Sequence, residues 1–255
     1  MIERSTISSI PILTRRQWQI GVMVPNNRYK HIIWDWNGTL LDDIDLSVDL
    51  INDLLAERDQ PLLTLSTYRE IFNFPVVDFY RKAGFDFSKE QFACLALDFC
   101  NRYERRLDEC KLQSGATEIL DYCYRAGIGQ SVLSSTEQGI LDGMIAYYGV
   151  EKYFDHVIGQ TNHHANGKLG SGNSLLERTN QALEDVLLVG DTTYDAHVAL
   201  TLKIDSVLVS TGHQSVGLLT ASCRPTIHRL LDLKSLIESR DNPRPKALVS
   251  APIAS

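Results

Sequence analysis

The chain is short of several things that would have fixed its class at once. Its five cysteines (Cys94, Cys100, Cys110, Cys123 and Cys223) contain no C-x-x-C pair. An odd, unpaired set fits no complete disulfide framework and no common zinc pattern. It suggests a reducing, cytoplasmic setting with mostly buried thiols. No stretch of about 18 consecutive apolar residues occurs, so the sequence predicts no transmembrane helix and no membrane partner. Basic residues are outnumbered, 25 against 32 acidic, for a net charge of −7. That balance excludes the electropositive surface expected of a nucleic-acid-binding domain.

What remains is ordinary globular composition, 44% apolar and 22% charged over 255 residues. Such a length suits one large domain, or a domain carrying an insertion. Residues 1–28 show neither helical nor strand period and have no signal-peptide core, so they read as a flexible extension. Residues 241–255 are proline-rich and read as a disordered tail.

Five short apolar runs punctuate the middle of the sequence: IIW (32–34), SVLSS (131–135), HVIG (156–159), DVLLVGD (185–191) and SVLVS (206–210). They are continuous rather than alternating, which suits strands buried on both faces of a parallel sheet. Helical periods separate them. Leu141, Met144, Ile145 and Tyr148 share one face, as do Ile119, Leu120, Cys123 and Tyr124. This alternation predicts a doubly wound, Rossmann-like α/β core over 29–44 and 112–240. Residues 45–111 carry helical periods and no clear strand, so they read as an inserted all-helical subdomain.

In a doubly wound sheet, chemistry collects at the carboxyl ends of the strands. Four features fall there or in loops. Asp35-Trp36-Asn37-Gly38 follows the first run; an aspartate here can be a nucleophile or metal ligand, or the stretch can be a plain tight turn. Asp191 and Asp195 bracket a strand-to-helix turn; they suit Mg²⁺, or a helix N-terminus. Ser134, with Ser135 and Thr136, can bind a phosphate oxygen or cap a helix. Lys168, in the Gly-rich stretch NGKLGSG, can neutralise a phosphate or simply face solvent.

The order Asp, Ser/Thr, Lys, acidic pair resembles that of the haloacid dehalogenase-like superfamily. WDWNGTLLDD matches its first motif, SVLSS the second, Lys168 the third and LLVGDTTYD the fourth, over residues 30 to about 238. The closest flavour is that of phosphoglycolate phosphatase-like proteins, with residues 45–111 as the cap. The resemblance implies a Mg²⁺-dependent phosphatase of a small phosphorylated metabolite. Asp35 would be the nucleophile. Asp35, the Asn37 carbonyl and Asp191 would hold the metal, with Asp195 in an outer or orienting role. Ser134, Ser135 and Lys168 would hold the phosphate.

The sequence departs from the family at two places. Leu169 stands where proline usually follows the lysine. Asn37 stands where an aspartate usually protonates the leaving group, and an amide cannot do that work. A slow phosphatase, or one with a good leaving group, is the expectation. A phosphate-binding regulatory protein is the alternative. A phosphonoacetaldehyde hydrolase-like activity fits less well, because it needs a cap lysine and residues 43–81 contain none. Trp36 reads as a site wall or as packing, and FNFPVVDFY (72–80) as a cap face turned to the substrate or as cap core. His163 and His164 read as a solvated pair, and His197 as packing. Lys203 stands where this family often has glycine.

Overall fold

The computed structural model describes residues 27–160 and 167–238. Nearly all of the predicted 1–28 extension, the 241–255 tail and the His163–His164 pair lie outside the described residues.

Eight strands and ten helices alternate along the described chain. In order they are β1 (His31–Trp34), β2 (Leu41–Asp42), α1 (Ile44–Ala56), α2 (Leu65–Ile71), α3 (Val76–Ala83), α4 (Phe92–Arg105), β3 (Lys111–Leu112) and α5 (Ala116–Arg125). There follow β4 (Gly129–Glu137), α6 (Gln138–Tyr147), β5 (His156–Gln160), α7 (Gly167–Thr179) and β6 (Val186–Gly190). The last are α8 (Thr193–Leu202), β7 (Asp205–Val209), α9 (Val216–Ala221), β8 (Thr226–Ile227) and α10 (Leu233–Glu238).

Six strands form one parallel sheet in the order β5-β4-β1-β6-β7-β8. β1 pairs with β4 on one side and β6 on the other, His31 facing both Gly129 and Val186. The continuous apolar runs are explained by burial on both faces. Ile32 and Trp34 enter one core with α5 and α6, while Ile33 enters the opposite core with Leu175, Val198 and Leu202. This is the two-residue alternation of a strand with no solvent face. The sheet order reverses direction at β1, so a crevice opens over the ends of β1, β4 and β6.

The helices α1–α4 lie between β2 and β3 and have their own core, with Ile51, Leu54, Leu55, Tyr68, Phe79, Tyr80 and Leu95 buried. The two chain segments leading into and out of this insert pair as a short antiparallel ribbon, Leu41 facing Leu112. The ribbon and β8 are too short to leave a pattern in the sequence.

Four expectations need correction. Lys168 lies in the first turn of α7, not in a Gly-rich loop. Only Cys110 and Cys123 are buried, while Cys94, Cys100 and Cys223 are exposed. His197 is exposed on α8 rather than packed in the core. FNFPVVDFY is only partly cap core: Phe79 and Tyr80 are buried there, but Phe72 and Phe74 reach the α/β core.

Candidate active site

Asp35 follows directly on β1, its amide donating to the Val189 carbonyl of β6 at 2.8 Å. β6 ends at Gly190, which sets Asp191 beside it. Asp195 stands one turn into α8. Asp35, Asp191 and Asp195 are all buried and each offers an oxygen within 4.8 Å of the others. Two approaches make this density possible. Gly38 has φ +70, and a Cβ on it would overlap the Asp191 carboxylate and the His213 ring. A Cβ on Gly212 would overlap Asp191 from the other side. Glycine is required at both positions.

Lys168 joins the cluster from α7. Its ammonium lies 2.7 Å from Asp35 Oδ1 and 2.7 Å from Asp195 Oδ1. The other oxygen of Asp195 accepts from the Thr192 amide at 3.1 Å and the Thr192 hydroxyl at 2.6 Å, closing a capping box at the start of α8. Both Asp195 oxygens therefore have partners. Asp191 accepts from the His213 amide at 2.6 Å and from Thr39 Oγ1 at 3.2 Å.

Burial pushes the Asp35 carboxyl well above its usual range, Lys168 opposes that, and Asp195 and Asp191 add to it. Asp191 is likewise raised, first by burial. Lys168 is disfavoured by burial, but Asp195 and Asp35 more than offset this and hold it firmly protonated. Three buried carboxylates against one ammonium leave negative charge that a small divalent cation would neutralise. The donors are hard oxygens, so Asp35 and Asp191 fit Mg²⁺.

Ser134 is buried at the end of β4, its Oγ accepting from the Thr136 amide at 3.1 Å. Ser135 is exposed, the first position of β4 to leave the core after five buried ones. Trp36 is fully buried beneath the site, its indole NH 3.4 Å from Met144 Sδ, so it packs rather than lining a wall.

Asn37 sits in a polar knot that the sequence did not reveal. Its Nδ2 donates to Asp43 Oδ2 at 3.0 Å and to the Tyr103 hydroxyl at 2.7 Å. Its Oδ1 accepts from Thr136 Oγ1 at 2.7 Å. Asp43 also accepts from the Gly38 amide at 2.8 Å, from Tyr103 at 2.7 Å and from His213 Nε2 at 3.2 Å. Burial raises the Asp43 carboxyl, but His213 and these donors outweigh it and hold it below its usual range. His213 feels the converse: burial lowers it, Asp43 raises it further, and it reaches about 9.

The segment 211–215 carrying His213 grips the insert. Tyr68 of α2 bonds His213 Nδ1 at 2.9 Å. Arg69 donates to the carbonyls of Gly212 and Thr211 at 3.0 and 2.9 Å. Gln214 donates to the Phe72 carbonyl at 2.8 Å, and Phe74 stacks on Tyr194 at 4.6 Å. His213, Asp43 and Tyr103 were missed because none stands in a chemically suggestive spacing. The aspartate pair Asp42-Asp43 was the one available signal.

Solved structures share the fold. A predicted phosphatase from Clostridium acetobutylicum superposes with TM-score 0.71 at 21% identity, covering 83% of this chain and 99% of that one. A haloacid dehalogenase-like family hydrolase from Streptococcus pneumoniae gives TM-score 0.70 at 17% identity, covering 82% and 98%. A predicted phosphoglycolate phosphatase from Haemophilus somnus gives 0.66 at 16% identity, again covering 82% and 98%. Identities this low establish the shared fold. A search of curated proteins finds no match. The family model described as haloacid dehalogenase-like hydrolase matches residues 32–209, more than half of the chain, and the chain belongs to that family.

Proposed function

We propose that the chain is a Mg²⁺-dependent phosphatase of a small phosphorylated metabolite, of the phosphoglycolate or sugar-phosphate type, working in the cytoplasm. The observation that carries this reading is the Lys168 ammonium, 2.7 Å from both Asp35 and Asp195, beside a buried Asp191. A phosphoryl group transfers through a state with charge spread over its oxygens, so a site of this kind works by positioning and by cationic stabilisation. The predicted phosphatases among the similar structures support the reading, and the helices α1–α4 would serve as the cap that selects the substrate.

In this reading Asp35 attacks phosphorus and the ester oxygen departs, leaving a phospho-aspartyl group that water hydrolyses to phosphate and free Asp35. Mg²⁺, held by Asp35, Asp191 and the Asn37 carbonyl, would supply charge neutralisation to the phosphoryl oxygens. Lys168 neutralises the same oxygens, with Asp195 fixing its direction. Ser134 donates a hydroxyl to them. Asn37 can neither give nor take the proton, so departure of the ester oxygen depends on its own acidity.

The test is phosphate release from phosphoglycolate and a sugar-phosphate panel, by the native chain and by Asp35→Ala, with and without Mg²⁺. Release that requires Mg²⁺ and falls at least ~10³-fold in Asp35→Ala is expected. Release that survives the substitution, or none from any ester, sinks the reading. The imine chemistry of a phosphonoacetaldehyde hydrolase gains no support, since Lys82 and Lys89 of the insert are both exposed.

A further inference from the structure

We propose that Asn37 is a positioning residue, a latch between helix α4 and the nucleophile loop, and that aspartate at this position would loosen the site rather than improve it. The kinetic part of this inference rests on the phosphatase reading; the structural part does not.

The argument begins with Asp43. A carboxylate has about four lone-pair sites, and Asp43 receives four donors: Gly38 N and His213 Nε2 on one oxygen, Asn37 Nδ2 and Tyr103 on the other. It is almost fully buried and its shell is complete. The Asn37 carboxamide can point only one way. Turned over, its carbonyl oxygen would face the Asp43 carboxylate at 3.0 Å and its NH₂ would face Thr136. As built, its nitrogen serves Asp43 and Tyr103 while its oxygen serves Thr136. One side chain thus ties three places together: the start of α1 through Asp43, the end of β4 through Thr136, and α4 through Tyr103.

Tyr103 is the insert's contribution. It sits near the end of α4, stacked on Phe99 at 5.9 Å, and both rings pack against the core cluster rather than only the insert's own. Its hydroxyl accepts from Asn37 and donates to Asp43, so seating α4 and setting the 35–39 loop are the same event. An ionised aspartate at 37 has no hydrogen to donate. It would leave Asp43 one donor short, leave Tyr103 without its incoming bond, and set a second carboxylate 3.0 Å from the first. Losing a donor to a buried charged group is among the costlier polar changes.

The experiment uses the full chain and the variants Asn37→Asp and Tyr103→Phe. Two quantities are read for each: kcat and KM for release of phosphate from phosphoglycolate, an alkyl ester whose leaving oxygen needs a proton, with Mg²⁺, and amide hydrogen exchange across residues 99–105. Both variants are expected to speed exchange in α4 and to lower kcat several-fold, with KM changing less. Tyr103→Phe removes a single oxygen and keeps the test valid should Asn37→Asp fold poorly. A rise in kcat of ~10²-fold or more in Asn37→Asp, the gain typical of a restored acid–base group, overturns the proposal. So does native-like exchange in α4 in the variants. If the native chain releases no phosphate, the phosphatase reading fails and hydrogen exchange alone decides the latch.

Discussion

At the scale of single residues, the proposed phosphatase reading makes the amide of Asn37 decisive. Its neighbours in the knot are committed to one another, and an amide stays neutral at any working pH. General acid–base assistance is usually worth ~10²–10⁴-fold. The chain should therefore discriminate sharply by leaving group. Aryl phosphates of acidic phenols should turn over on the order of 10²–10⁴ times faster than alkyl phosphates of similar size, by the same allowance. Steady-state rates across a series of esters would check this, and a flat series would mean that some other group delivers the proton. Lys168 differs: Asp35 and Asp195 together hold its positive charge across the neutral pH range.

At the scale of elements, the sequence was legible wherever a pattern repeated. β1, β4, β5, β6 and β7 announced themselves as apolar runs because both faces of the sheet are covered. Asp35, Ser134 and Asp191 could be read at the strand ends for the same reason. Two-residue strands have no period to read, so β2, β3 and β8 did not show. Lys168 was misplaced because three nearby glycines suggested a loop where α7 begins. The Asn37 knot was illegible because it depends on contacts across distances of 66 and 99 residues. The structure also explains Lys203. It closes α8 with φ +60, the left-handed conformation that favours glycine. Lys203 is exposed, so Lys203→Gly should relieve strain at no loss of packing. A gain of about 0.5–1 kcal/mol is expected, raising the melting temperature by roughly 1–4 °C. An unchanged or lower melting temperature would mean that the turn is not strained.

At the scale of the whole molecule, the insert is fastened to the core chiefly by segment 211–215 and α4, and His213 is central to the first. Tyr68 and the Phe72 ring come from the insert, and Asp43, Asp191 and Asp35 face His213 from the core. Its folded pKa of about 9 lies above the usual 6.5. The stabilisation is therefore complete below about pH 6.5 and is lost as pH rises through 9. At ~1.4 kcal/mol per unit, that displacement is worth on the order of 3 kcal/mol in the metal-free chain. In the presence of chelator, the melting temperature should fall between pH 7 and 9.5, and His213→Asn should flatten that slope. A slope unaffected by the substitution would assign the dependence elsewhere.

The order of the sheet carries one more consequence, for the time course of folding. β1 is central, yet its partners are remote: His31 meets Ser131 100 residues away, and Thr39 meets Asp191 152 residues away. The insert sits inside the first of these loops, and its own helices make nearer contacts. Closing long loops before their contacts form is entropically uphill, and such topologies fold slowly. The helical insert is thus placed to acquire structure early. The carboxylates of the acidic cluster stand at the ends of β1 and β6 and at the start of α8, so they converge only once those two distant strands have paired.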